Sequence, residues 1–286
     1  MQELCRQCVL DKHLNNYPEG APEELIRRYR EDLLRIVRED DGSLTAPEAV
    51  WLFGKRREEL FGVLPKDFTE IKRHFNEVML SLEDRLEAEL VAAADPLRLA
   101  VQYAMTGNFI DFSALDSVTE EQLLSLIGGA KKIQLDETQY ARFREKAAAA
   151  RSLAYLTDNC GEIVMDKLLL GELKRLNPDL EATAVVRGGP VSNDATVEDA
   201  AQVGLTDLYR VIGNGAQTEG TLFHFISREA QDAIRGADMV ISKGQSNYET
   251  LAGSGLPAFY IFMCKCDYFT GLFGVPKFTG ILTEAV

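Results

Sequence analysis

The sequence predicts an α/β protein. A helical N-terminal region, residues 1–150, precedes a three-layer α/β/α domain with a mainly parallel sheet, residues 151–286. Two observations predict this fold. Up to Ala150 the apolar residues recur at helical spacing, whereas after Arg151 short apolar runs alternate with helical patterns. Alternating strands and helices are typical of βαβ units, whose strands run parallel. The boundary near residue 150 rests on this change of period alone.

The N-terminal region carries several helical patterns. The first follows Pro22, because proline suits the first turn of a helix and an amphipathic stripe begins there. Thr119 with Gln122 resembles a capping box before a leucine-rich stretch. The further helical patterns cover residues 67–90, 95–104 and 138–150.

The C-terminal region carries five short apolar runs that predict strands. They cover residues 152–157, 181–186, 208–212, 239–242 and 258–263. The helical patterns between them cover residues 163–177, 196–204 and 221–235. In parallel α/β sheets, ligands bind beyond the carboxyl ends of the strands. Polar clusters follow three of these runs, so we expect one binding site at that edge of the sheet.

The composition limits the class of partner. The net charge is −14, and both nucleic acid and anionic membranes require a basic face, so neither is expected. No stretch approaches the ~20 apolar residues of a membrane span, and the N-terminus lacks a secretory apolar segment. The chain has only 5 cysteines, too few for a disulfide scaffold. These features predict a soluble, cytoplasmic protein.

Two polar pairs predict a metal site. Asp158 and Asn159 follow the first predicted strand and offer hard oxygen ligands. Gly161 then lets the chain turn into a helix, whose first N–H groups can face phosphate oxygens. Asn193 and Asp194 repeat the pattern after the second predicted strand. One cation could therefore bind both aspartates and remove their repulsion. Each pair could instead be an ordinary helix cap.

Lys243 and Gly244 end the fourth predicted strand. The lysine can neutralise a phosphoryl oxygen as a point charge, and the glycine allows close approach of the backbone. Residues 244–247 can donate N–H groups, although they do not form a Walker A loop. The alternative is a lysine that caps carbonyl groups at a strand end.

Three motifs in order carry a resemblance to a known family. They are Asp-Asn-x-Gly-Glu from Asp158, Arg-Gly-x-Pro-x-x-Asn-Asp-Ala-Thr-x-Glu-Asp-Ala from Arg187, and Asp-x-x-Ile-x-Lys-Gly-Gln-x-Asn-x-Glu from Asp238. This series resembles the metal-dependent damage-control phosphatases, formerly catalogued as domain of unknown function eighty-nine. The resemblance covers residues 151–286 strongly and the N-terminal region weakly.

The resemblance implies hydrolysis of phosphomonoesters such as sugar phosphates or damaged metabolites. It implies one divalent cation, Co²⁺, Ni²⁺, Mn²⁺ or Mg²⁺, held at the positions of Asp158, Asn159 and Asp194. It also implies phosphate contact at Lys243. We expect Glu162 and Asn193 to orient water or substrate.

Further residues of the same motifs are expected to bind substrate. These are Arg187, Gly244, Asn247 and Glu249. A second role for Asp158, as a nucleophile, stays open. We prefer ligation, because the adjacent Asn159 has no role in a covalent mechanism.

The cysteines allow a second metal site. Cys5-x-x-Cys8 is similar to the pattern of a microbial subgroup of the family. Together with Cys264 and Cys266 it has the count for a four-thiolate zinc site, provided that the N-terminal segment reaches the fifth strand. The alternative is a set of unlinked thiols.

Two other functions compete with the phosphatase. One is S-adenosylmethionine-dependent carboxyl methyl transfer, which needs no divalent cation and leaves the paired Asp-Asn turns without a purpose. The other is a metal- or metabolite-binding module without catalysis. The expected partner is a small phosphorylated metabolite, whereas its identity and the oligomeric state are not predicted by any motif.

Overall fold

The computed structural model describes residues 1–109 and 127–284. The predicted capping box at Thr119 lies outside these residues. The helices that precede the sheet are α1 (Glu3–His13), α2 (Glu23–Arg38), α3 (Ala46–Phe61), α4 (Thr69–Val91), α5 (Pro96–Phe109) and α6 (Glu137–Ala149). Their ends follow local rules. For example, Thr45 caps α3 by accepting the N–H of Glu48, and Gly62 ends α3 at a φ of 65°.

Strands and helices then alternate as the sequence predicts. The order is β1 (Ser152–Leu156), α7 (Glu162–Leu176), β2 (Glu181–Val186), α8 (Val197–Gln202), β3 (Arg210–Gly213), α9 (Arg228–Arg235), β4 (Met239–Lys243), α10 (Gln245–Leu251), β5 (Ala258–Met263), α11 (Asp267–Phe273) and β6 (Gly280–Glu284). The five predicted strands are confirmed, with bounds that differ by two residues or fewer. The predicted fold class is confirmed too.

The six strands form one sheet in the order β3-β2-β1-β4-β5-β6. All neighbouring pairs are parallel except β5 and β6, which are antiparallel. Strands β1 and β4 are neighbours at the centre, although β2 and β3 separate them in the chain. The connections leave these two strands in opposite directions, which opens a crevice at their carboxyl ends.

Helices cover both faces of the sheet. Alternate strand residues point to opposite sides, so Tyr155 and Ile241 join one core, whereas Leu156 and Val240 join the other. The first core includes α4, α5, α6 and α7, and the second includes α9, α10 and α11. Helices α1, α2 and α3 bury a separate core around Tyr29. Helices α4 to α6 therefore pack on the sheet, and the division into domains near residue 150 stays a prediction.

Three local predictions need correction. The helix predicted at 221–235 begins only at Arg228, because the Ser227 hydroxyl caps it by accepting the N–H of Ala230. Residues 245–247, predicted as a loop, form the first turn of α10. Strand β6 was not predicted. None of the described helices is long and apolar enough to cross a membrane.

Candidate active site

Two polar turns meet beyond the ends of β1 and β2. The N–H of Cys160 donates to the carbonyl of Asn193 at 2.8 Å, and the N–H of Ala195 donates to the carbonyl of Asp158 at 2.7 Å. Asn159 and Asp194 form an isolated antiparallel bridge between these bonds. The backbone therefore fixes the two turns side by side, as the sequence predicts.

A cavity of about 240 Å³ lies at this junction. Asp158 and Asn159 enter it from the end of β1, and Asn193 and Asp194 enter it from the loop after β2. The remaining lining residues come from α5, from the loops after β3 and β5, from the start of α10 and from the loop after β2. These are Asn108, Ser192, Glu219, Gln245, Ser246 and Lys265.

Each candidate ligand has one polar atom tied to the protein. Asp158 Oδ2 accepts the Nδ2 protons of Asn108 at 2.8 Å and of Asn159 at 2.9 Å. Asp194 Oδ2 accepts the Nε proton of Arg187 at 2.5 Å. Within the described ranges, Asn159 Oδ1 and Asp194 Oδ1 accept no hydrogen bond. The side chains are thus held by one atom and keep an oxygen for a ligand.

The two carboxylates are buried at close quarters. Burial, followed by the charges of Asp194 and Glu162, raises the pKa of Asp158 to about 7. Burial and the charge of Glu219 raise the pKa of Asp194 to about 6, although Arg187 opposes this shift. Two carboxylates with raised pKa values are stabilised in the ionised form by a cation between them.

The donor set fits a hard divalent cation. Two carboxylates and an amide oxygen are ligands that Mg²⁺ or Mn²⁺ accepts, and the two turns place all three on one cavity wall. Over residues 1–109 and 127–284, no three or more His, Cys, Asp or Glu side chains form a group that could hold a metal ion. Among the described residues that line the cavity, Asp158, Asp194 and Glu219 carry carboxylates, and the candidate ligand set uses the first two together with Asn159.

Residues 1–280, nearly the whole chain, match the family model described as the damage-control phosphatase ARMT1-like domain. This chain belongs to the damage-control phosphatase family.

Individual family members are similar along most of their length. A damage-control phosphatase of Archaeoglobus fulgidus is 31% identical over 277 residues, which is 92% of each chain. A damage-control phosphatase of Pyrococcus horikoshii is 32% identical over 224 residues, 77% of this chain and 75% of its own. The crystal structure of a DUF89 family protein from Pyrococcus horikoshii superposes with a TM-score of 0.82 and 26% identity, covering 100% of this chain and 99% of that one.

Lys243 lies behind the cavity in this family member. Its side chain is fully buried, and its ammonium group donates to Glu162 Oε1 at 2.5 Å, Asp166 Oδ1 at 2.7 Å and the carbonyl of Ala104 at 3.0 Å. The charges of Asp166 and Glu162 outweigh burial and raise the pKa of Lys243 above its usual range. All three protons are used, so the described conformation offers none to a phosphate.

Glu162 is one of the two buried carboxylates that pair with Lys243. It is fully buried on the first turn of α7, and its Oε2 accepts the Nδ2 protons of Asn159 at 2.9 Å and of Asn108 at 3.2 Å. It therefore orients the carboxamide of Asn159 rather than lining the cavity. The N–H of Gly161, expected to face phosphate, donates to Asn76 Oδ1 on α4 at 2.6 Å.

Arg187 and Asn247 form a buried clamp beneath the cavity. Besides Asp194, Arg187 reaches the carbonyl of Gly220 at 2.6 Å and Asn247 Oδ1 at 3.1 Å, and its Nη2 lies 3.5 Å from Asp158 Oδ1. Asn247 is fully buried, and its Nδ2 donates to the backbone carbonyls of Thr157, just after β1, and of Lys243, the last residue of β4. Both residues hold the site together and do not line the cavity.

Gly244 is required by close packing. Its φ is 82°, and a Cβ atom there would lie 2.1 Å from Asp158 Oδ2. Glu249 is placed elsewhere, in a separate cavity of about 440 Å³ that Cys5 also lines. Burial and the charge of Glu219 raise the pKa of Glu249 to about 7.

Cys5 and Cys8, near the start of the chain, lie close to the segment after β5 that carries Cys264 and Cys266. Helix α1 packs against α11, so the N-terminal segment reaches the end of the fifth strand. Burial, followed by the charges of Glu249, Cys266 and Cys8, raises the pKa of Cys5 to about 11. In the described conformation the thiols are free and do not form a metal-holding group. The second metal therefore stays a prediction, which metal analysis of the purified protein would test.

Sequence reasoning missed several polar residues of the cavity, among them Asn108 and Lys265. Asn108 belongs to α5, and nothing in its local pattern indicates that this helix reaches the site. Lys265 follows the fifth predicted strand, so its position at a strand end was a usable signal. The flanking residues Cys264 and Cys266 instead predict a thiolate metal site. Asn193, which was predicted, is buried, and its Nδ2 has no hydrogen-bond partner in the described structure.

Proposed function

We propose that this protein is a phosphatase that hydrolyses small phosphomonoesters, such as sugar phosphates or damaged phosphorylated metabolites, with a divalent cation. The observation that carries the proposal is the convergence of Asp158, Asn159 and Asp194 on one cavity, each with a polar atom fixed by the protein. Relatives named damage-control phosphatases along most of the chain support it.

The cation would be held by the oxygens of Asp158, Asn159 and Asp194. The chemistry supplied by a divalent cation there is polarisation of the phosphoryl group and a lower pKa for a bound water. Co²⁺, Ni²⁺, Mn²⁺ and Mg²⁺ all accept this donor set. Glu162, with Lys243 behind it, keeps the Asn159 amide turned so that its oxygen is available.

The phosphoryl oxygens need hydrogen-bond donors at the cavity. Asn193 lines it, and its buried Nδ2 has no partner among the described residues, which is costly unless a ligand uses this donor. Lys265 lines the same cavity. The negative charge of Asp194 raises the pKa of Asp158, whereas the positive charge of Lys265 lowers it. These two groups, rather than Lys243 and Arg187, are the proposed phosphate contacts.

Activity should depend on added cation. Chelator-stripped protein should not hydrolyse p-nitrophenyl phosphate, and Co²⁺, Ni²⁺, Mn²⁺ or Mg²⁺ should restore hydrolysis, because two buried carboxylates without a cation repel the phosphate. The measurement is p-nitrophenol release as each ion is titrated back. A set of sugar phosphates assayed by phosphate release would then rank substrates.

Three results would contradict this proposal. Hydrolysis that is equally fast in the presence of excess chelator would exclude a role for the cation. Cation binding without hydrolysis of any phosphomonoester would favour a binding module. Methyl transfer from S-adenosylmethionine that survives the chelator would favour the transferase.

Removal of the Lys265 charge should weaken binding of the substrate's phosphate group. We expect Lys265→Ala to lower kcat/KM for p-nitrophenyl phosphate by about tenfold to a hundredfold, since a hydrogen bond to a charged group contributes about 1.5–3 kcal/mol. Lys277→Ala is the matched control, because Lys277 pairs with Asp267 at the surface. Equal kinetics of Lys265→Ala and wild type would remove Lys265 from the phosphate site.

A further inference from the structure

Asn108 lines the cavity and connects the end of β1, the first turn of α7 and the end of β5. It sits on α5, in the helical region that precedes the sheet, and its side chain is almost fully buried. Its Nδ2 donates to Asp158 Oδ2 at 2.8 Å and to Glu162 Oε2 at 3.2 Å. Its Oδ1 accepts the N–H of Met263, at the end of β5, at 3.1 Å. Both amide protons and the carbonyl oxygen are therefore engaged.

These partners settle the orientation of the amide. The backbone N–H of Met263 can only donate, so Oδ1 faces Met263 and Nδ2 faces the carboxyl groups of Asp158 and Glu162. Asn108 is thus held rigidly, and it holds Asp158 in turn. With Asn159 it supplies the two donors to Asp158 Oδ2.

The two oxygens of Asp158 consequently differ. Oδ2 accepts both amide protons, whereas the nearest donor to Oδ1 among the described residues is the Nη2 group of Arg187 at 3.5 Å. A carboxylate fixed through one oxygen presents the other in a single direction. Groups that orient a ligating side chain in this way change metal affinity without touching the metal.

We propose that Asn108 is a positioning residue that fixes which oxygen of Asp158 faces the cavity and thereby sets the affinity of the site for a divalent cation. The inference rests on the proposed function, because it assumes that Asp158 is a ligand. It also gives the helical region a part in the site: α5 orients a group that belongs to the end of β1. The bond to Met263 keeps the Lys265 loop, two residues further on, in register with Asp158.

The test is Mn²⁺ binding by isothermal titration calorimetry, with electron paramagnetic resonance of free Mn²⁺ as a second readout. Asn108→Ala removes all three bonds, and Asn108→Asp keeps the size and the acceptor for Met263 but loses both donors. Both variants should bind Mn²⁺ about 10- to 100-fold more weakly than wild type, with one site per chain. Thr106→Val is the control, because the Thr106 hydroxyl bonds only to the carbonyl of Gln102 in the same helix.

The stoichiometry separates positioning from folding. A purely structural role for Asn108 would lower the number of sites per chain and the Tm while leaving the dissociation constant unchanged, and that result would overturn the proposal. Unchanged affinity in folded Asn108→Ala and Asn108→Asp would overturn it too, with the proposed function intact. Wild-type protein that binds none of Mn²⁺, Co²⁺, Ni²⁺ and Mg²⁺ would overturn the proposed function and this inference together.

Discussion

Replacement of Lys243 with methionine should lower the free energy of unfolding by about 3–5 kcal/mol, because breaking a buried ion pair leaves an uncompensated charge in the interior. Glu162 and Asp166 would lose the cation that they share, and both are fully buried. The carbonyl of Ala104 would also lose its donor. Urea unfolding, followed by the fluorescence of the single tryptophan and by circular dichroism, measures the change.

Lys167→Met is the matched control for this prediction. Lys167 lies on α7, pairs with Glu83 and donates to the carbonyl of Val203, but the two charged side chains are 13% and 16% exposed, so we expect a smaller loss of stability than for Lys243→Met. The opposite pattern would contradict the structural role of Lys243. If Lys243→Met kept wild-type stability and lost phosphatase activity, the direct phosphate contact predicted from the sequence would be correct.

Strand periodicity explains why the structure buries Lys243, whereas the phosphate contact that the sequence predicts for it stays a prediction. Side chains along β4 alternate, so Lys243 shares a face with Met239 and Ile241, which both belong to the core beneath α5 and α7. Only residues after the last strand position can turn into the crevice. Asp158 and Asn159 satisfy this rule because β1 ends at Leu156, whereas Lys243 is the last residue of β4 itself.

The arrangement of the two polar turns was predictable because it depends on local order in the chain. Asp-Asn after one strand and Asn-Asp after its neighbour must meet when the strands are parallel and adjacent, and β1 and β2 are both. Asn108 was not predictable in this way. Its role depends on how α5 packs against α7 and β5, which is a long-range contact without a sequence signature.

Strand β6 and helix α9 illustrate the same limit. The apolar part of β6 is only Ile281 and Leu282, too short to separate a strand from a loop, and β6 pairs antiparallel with β5, from which α11 separates it in the chain. For α9, the pattern continued back to Thr221, but Thr221 is engaged with Asn247 under the cavity. Tertiary contacts therefore overrode local preference at these two places.

Neutralising either carboxylate should abolish most of the activity. We expect Asp158→Asn and Asp194→Asn each to lower kcat/KM by more than about a hundredfold, equivalent to about 2.7 kcal/mol, since the cation loses an anionic ligand. Stability should not fall in parallel. Burial raises the pKa of both carboxyls, so in the absence of a cation the ionised forms are disfavoured. The measurements are phosphatase kinetics with saturating Mn²⁺ and Tm without it.

Glu198→Gln is the matched control, because Glu198 lies on α8 close to the same loop but lines a different cavity. Its kinetics should equal those of wild type. Retention of more than about a tenth of the activity by both aspartate variants would exclude them as cation ligands.

Comparing the two variants also decides between the two roles considered for Asp158. If Asp158 is a ligand, it and Asp194 should be equivalent. Both variants should then weaken Mn²⁺ binding in calorimetry and lose activity together. As a nucleophile, Asp158 would be needed for chemistry more than for binding. Asp158→Asn would then lose turnover while keeping wild-type Mn²⁺ affinity, and wild-type protein quenched during turnover would carry phosphate on Asp158. The two amide donors on Asp158 Oδ2 favour the ligand role, because they hold the carboxylate in a fixed direction.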